Sequence, residues 1–180
     1  MTGQRRKRRP AMHTLLRRPR SVDWGSLSSA VATGGAVGGS TASTLGAASG
    51  LLDLTGTGDD AWVLLACSAT AGLASAWLFS RVRRPRRHRT ADILTGITVA
   101  FLSMVLVGTL LYLASGVISH PGDALFESAA GFSTTALTTL DVESLGRGIL
   151  FFRAGSQWVG GLTALLLGVA VLPALSADRE

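Results

Sequence analysis

The sequence predicts an all-α membrane protein, in which two leading transmembrane helices are followed by one unit of helix, re-entrant loop and helix. Three observations carry this. Of the 180 residues, 47% are hydrophobic and only 16% charged, against about 25% charged in an average soluble domain. Uncharged apolar runs of bilayer length recur along the chain. The bases are clustered, with 8 of the 17 in the stretch 5–20 and 6 in the stretch 81–89, neither stretch holding an acid. Such clusters beside apolar segments mark loops kept in the cytoplasm and contact with anionic lipid.

The tail 1–25 is basic and cytoplasmic on this reading. It is not a cleavable signal, because the run after it is too long and too weakly hydrophobic. The first span, 26–54, is rich in Gly, Ala, Ser and Thr. Small residues at every fourth position, Gly34, Gly38, Ala42, Gly46 and Gly50, give a helix one continuous face for close packing. A crossing here also lets both basic tracts share one side, with Asp53, Asp59 and Asp60 in an outer turn. The run 61–80 has 20 residues without a charge, enough for a bilayer core of roughly 30 Å at about 1.5 Å per residue. The tract 81–92 forms a basic cytoplasmic loop. The unit 93–175 opens with the strongest span, 93–118, uncharged over 26 residues and bearing Tyr112 near one end. It closes with a helix at 149–175, interrupted by Arg153 and Gln157 and ending near Pro173. Residues 176–180 form a cytoplasmic end, so both termini face inward in a multi-pass plasma-membrane protein.

Between the last two spans the chain is neither soluble loop nor crossing. Residues 123–131 read as a short helix preceded by Pro121 and Gly122, carrying Asp123 and Glu127 near its positive end, with Gly131 as the stop. About nine residues cannot span a bilayer. The following 133–139 is hydroxylated and β-branched, which disfavours helix and favours extended backbone. Irregular backbone at membrane depth survives only where it is buried in protein or lines water. Carbonyls lining such a cavity can replace the hydration shell of an alkali cation. Four acids at 123–143 with no base among them favour cations at an outer mouth. Cation passage follows from this arrangement.

The stretch 124–175 resembles the first pore unit of the TrkH/KtrB/HKT superfamily of potassium and sodium transporters. The resemblance rests on ALFES at 124–128, GFSTTALT at 131–138, Phe152-Arg153, Gln157-Trp158 and Gly160-Gly161, followed by an apolar run with a late proline. It implies an ion filter at Ser133, Thr134, Thr135, Ala136 and Leu137, a pore loop behind which Glu127, Arg153 and Gln157 act structurally, and passage of K+ or Na+ with no fixed metal ligand. The two helices before the basic loop resemble the extra pair that precedes the pore units in TrkH-type members. Relatives commonly dimerise and pair with a cytosolic nucleotide-binding regulatory subunit. This sequence departs from the pattern where the filter glycine aligns with Ala136, followed by Leu137. In HKT-type relatives a serine at that position goes with sodium preference. It departs again in carrying one unit where family members carry four, so further pore units from a longer chain or from other copies are implied.

Arg153 within an apolar helix costs at least about 2.5–3.5 kcal/mol unless it faces protein or water, and Glu127 is the expected partner. Gln157 is expected to bond a neighbouring backbone, Trp158 to pack, and Gly160, Ala164 and Gly168 to form a helix-contact face. Cys67, the sole cysteine, excludes an intrachain disulfide, and the scattered His13, His88 and His120 offer no metal spacing. No cofactor or enzymatic activity is expected. Two rivals stand beside transport: a non-conducting truncated member of the same family, and a membrane-anchored nucleic-acid binder. The absence of aromatics among the bases argues against nucleic acid as a partner.

Overall fold

A computed structural model describes residues 24–55, 61–82 and 90–177, and every regular element among them is helical. In chain order these are α1 (Trp24–Leu54), α2 (Ala61–Arg81), α3 (Thr90–Ala114), the short α4 (Pro121–Phe132), a single 3-10 turn (Val142–Ser144) and α5 (Arg147–Ala177). Helices α2 and α3 are long and apolar enough to cross a membrane. The protein is an all-α membrane protein. Residues 1–23 of the basic tail, Asp59 and Asp60, and residues 83–89 of the expected basic loop lie outside the described residues.

Helix α1 is the hub, and its small residues explain why. Gly34 and Gly38 approach α3 so closely that a Cβ on either would collide with the carbonyl oxygen of Gly96 or Ala100. Further along, Gly39 and Gly46 meet the hydroxyls of Ser75 and Ser68 on α2, and Gly50 meets Leu65. All five residues of the expected four-residue repeat are buried. Backbone contact at this range replaces the side-chain interdigitation that a leucine-rich helix would need. At the far end, Ser26 Oγ donates to Asp92 Oδ1 on α3 at 3.3 Å. Trp62 and Trp77 project outward near opposite ends of α2, and the Arg81 guanidinium stacks 5.0 Å from the centre of the Trp77 ring, as suits side chains at a membrane interface.

Several expected boundaries move, each for a local reason. Helix α3 ends at Ala114, four residues short of the expected limit, because Gly116 turns the chain with φ 73°. At its other end α3 takes in Asp92, which is buried and not part of a loop. Helix α4 begins at Pro121, whose fixed φ suits the first helical position, with the His120 ring accepting the Gly122 N–H at 3.3 Å. Helix α5 continues through Pro173 to Ala177, although proline was expected to end it. A membrane helix tolerates the one missing backbone bond where neighbours compensate. Asp53 is buried in the last turn of α1 and not displayed in an outer turn.

The core beneath the loop is aromatic. Phe152 of α5 lies edge-on to Tyr112 of α3, with centroids 5.5 Å apart, and to Phe132 of α4 at 6.4 Å. Ser128 Oγ donates to the Val105 carbonyl at 2.7 Å and ties α4 to α3. Gly160 lets α5 pass against the Phe132 carbonyl, where a Cβ has no room. Of the expected contact face on α5 only Gly160 is used, since Ala164 is exposed and Gly168 has open space around it.

Candidate functional site

The site is the segment 133–139 between α4 and α5, together with the side chains that hold it from behind. Helix α4 stops at Phe132, and its end is closed by the loop. The Thr134 N–H donates to the Gly131 carbonyl at 3.0 Å and the Thr135 N–H to the Ala130 carbonyl at 3.1 Å. This paired arrangement is the Schellman helix ending, which places a left-handed residue one past the cap. That residue is Thr134, at φ 61°, and not the expected stop Gly131, which stays helical. Ala136 is left-handed too, at φ 58°. Each carries a Cβ where glycine is favoured, at a cost of roughly 1–2 kcal/mol. The surroundings must therefore impose both conformations.

The helix-ending bonds hold Thr134, and Glu127 and Arg153 hold the stretch that follows from Ala136. Glu127 is fully buried on α4 and pairs with Arg153 of α5, itself 8% exposed, through Nη1 and Oε2. The other carboxylate oxygen accepts from Thr138 Oγ1 at 2.7 Å, the Thr139 N–H at 2.5 Å and Thr139 Oγ1 at 3.3 Å. The second arm of the guanidinium donates to the carbonyls of Ala136 at 3.2 Å and Leu137 at 3.3 Å. One carboxylate and one guanidinium thus fix both ends of a four-residue stretch. Carbonyls of Ser133, Thr134 and Thr135 receive no hydrogen bond among the described residues. All residues of 133–139 are exposed, and Ser133 and Thr134 edge a cleft of about 320 Å³ between α3, the loop and α5.

Not every expected residue joins the site. Gln157 is half-buried and forms no hydrogen bond among the described residues, so the backbone contact expected of it is missing. Trp158 projects away from the core of the described residues at 80% exposure. Both follow from helical geometry: the α5 face carrying Phe152, Arg153, Ser156 and Gly160 is turned inward, which directs Gln157 and Trp158 sideways and out. Thr138 and Thr139, absent from the expected set, are donors to Glu127. Their signal was available in the sequence as two further hydroxyls opposite a carboxylate.

A stretch of 54 residues is 50% identical to the Trk system potassium uptake protein TrkH of Escherichia coli, covering 29% of this chain and 11% of that protein. Over 98 residues the chain is 35% identical to the TrkH protein of Halomonas elongata, covering 51% of this chain and 20% of the relative. This chain is related to the TrkH superfamily. An uncharacterized cation transporter of Methanocaldococcus jannaschii matches at 32% over 98 residues, 53% of this chain and 20% of its own length. The chain thus spans a fifth or less of the length of these relatives. No protein-family profile and no solved structure matches it.

Proposed function

We propose that this chain contributes one pore unit to a TrkH-like transporter that takes up potassium, or sodium, across the plasma membrane. The observation that carries the reading is the loop 133–137, in which the carbonyls of Ser133, Thr134 and Thr135 accept no hydrogen bond among the described residues and Ser133 and Thr134 edge an open cleft, while a buried ion pair grips its far end. The re-entrant segment α4 enters part-way and the loop returns outward, and the helices α1 and α2 form the leading pair. Carbonyl oxygens of Ser133, Thr134 and Thr135 face the ion. Those of Ala136 and Leu137 keep their positions through Arg153, each with a second lone pair still open. Glu127 and Arg153 act structurally and touch no ion.

One unit supplies one side of a coordination shell, so conduction needs further units around a common axis, from a longer chain or from other copies. The TrkH name of the relatives supports potassium as the cargo, and Ala136 at the filter-glycine position keeps sodium as the alternative. Anionic lipid at the basic tracts and a cytosolic nucleotide-binding subunit complete the proposed partners, with both termini cytoplasmic.

The test is a complete four-unit TrkH transporter in which residues 93–175 of this chain replace the first unit. It is expected to restore growth of potassium-uptake-deficient cells at low K+, and Thr135→Lys is expected to abolish the rescue. Absence of uptake by a chimera that reaches the membrane, or uptake indifferent to Thr135→Lys, would refute the reading.

A further inference from the structure

We infer that Asp53, in the last turn of the leading helix α1, is a positioning residue for the loop 133–139, acting through the start of α5. The side chain is 4% exposed, and its Oδ1 accepts the Gly148 N–H at 2.7 Å. Gly148 is the second residue of α5, so its amide is one of those that the helix itself leaves without a partner. An acid at the C-terminal end of its own helix stands against that helix's dipole. At the N-terminus of α5 the same carboxylate meets a favourable field, which accounts for an otherwise adverse placement.

The contact also sets distance. A Cβ on Gly148 would collide with the Asp53 carboxylate and lie within 2.7 Å of the Ser49 carbonyl oxygen, so α5 starts in direct contact with α1. Gly155, two turns on, rests against Leu45 of α1 and fixes the rotation of α5. Arg153 lies between these two contacts. Its guanidinium grips the Ala136 and Leu137 carbonyls and the Glu127 carboxylate, which in turn holds the Thr139 N–H. Asp53 therefore fixes the height of α5, and with it the height at which Arg153 presents its donors to the loop. The importance of this for ions rests on the proposed pore reading, while the positioning itself does not.

Amide hydrogen exchange on the full 180-residue chain in lipid nanodiscs tests the inference without any transport measurement. In Asp53→Ala, exchange is expected to quicken about fivefold both in the first turn of α5 and at the Thr139 amide, with the amides of Glu127 and Ser128 unchanged. Asp53→Asn, which keeps an acceptor, is expected to retain native rates at Thr139. Gly148→Ala displaces α5 by a different route and is expected to reproduce the Asp53→Ala pattern, which covers the case where that variant does not fold. Faster exchange confined to the first turn of α5 would reduce Asp53 to a local cap and overturn the inference. A uniform rise throughout the chain would overturn it as well. Native exchange behaviour of this kind in a chimera that fails to transport would sink the pore reading and leave the positioning intact.

Discussion

Replacing Glu127 with alanine removes the acceptor for four donors at once, one of them the buried Arg153 guanidinium. Arg153 is left 8% exposed in an apolar setting with two neutral carbonyls for company. Breaking a buried ion pair from one side costs about 3–5 kcal/mol, because the surviving charge stays buried without compensation. Thr138 and Thr139 are exposed, so water takes over their bonds and little is added to that figure. Arg153→Ala is expected to cost a similar amount by stranding Glu127. The double variant is expected to cost about 1–3 kcal/mol less than the sum of the two, since neither charge is then orphaned. The assay is unfolding of the purified chain in mixed micelles by titration with sodium dodecyl sulfate, read by helical circular dichroism. A cost below about 1 kcal/mol for Glu127→Ala, or strict additivity in the double variant, would refute the claim that this pair fixes the loop.

Three further outcomes are expected. Ala136→Gly relieves about 1–2 kcal/mol of left-handed strain and gives back about 0.4–1 kcal/mol as unfolded-chain entropy. It should therefore stabilise the chain slightly and, within a four-unit transporter, shift the reversal potential toward K+ over Na+, while Ala136→Asp abolishes flux; an unchanged reversal potential for the glycine variant would remove this position from selectivity. Tyr112→Phe should leave the melting temperature unchanged or raised, because the buried hydroxyl has no hydrogen-bond partner among the described residues and its burial costs about 1–3 kcal/mol; a clear drop would reveal a partner. Cysteine at Asp59 in a Cys67→Ser background should react with an impermeant thiol reagent from outside intact cells, and labelling only after lysis would invert the proposed topology.

The helical layout was legible because long uncharged runs and four-residue glycine spacing are one-dimensional signals. Gly34 and Gly38 announced close packing, and they meet backbone on α3. Arg153 announced a buried partner by the cost of its charge, and Glu127 was the acid at hand. Other features were hidden because they depend on which face of a helix turns inward. Gln157 forms no hydrogen bond among the described residues, whereas Arg153 holds three groups; which of these two polar side chains turns inward depends on its angle around α5. Asp53 was read as an acid of an outer turn because its partner lies 95 positions away. The left-handed Thr134 was obscured because glycine, the usual signal, stands three residues earlier.

The grip of Arg153 has a mechanical meaning. The residue rides on α5, but its guanidinium is spent on a carboxylate from α4 and on two carbonyls of the loop. At 3.2 and 3.3 Å the carbonyl bonds have little slack, and a relative slide of about 0.5 Å takes them out of bonding range. The side chain cannot swing to follow without releasing Glu127. The loop is therefore geared to α5 in the manner of a pawl on a rack: while engaged it moves with the helix, and once disengaged, Ala136 is free to leave a conformation that its Cβ disfavours.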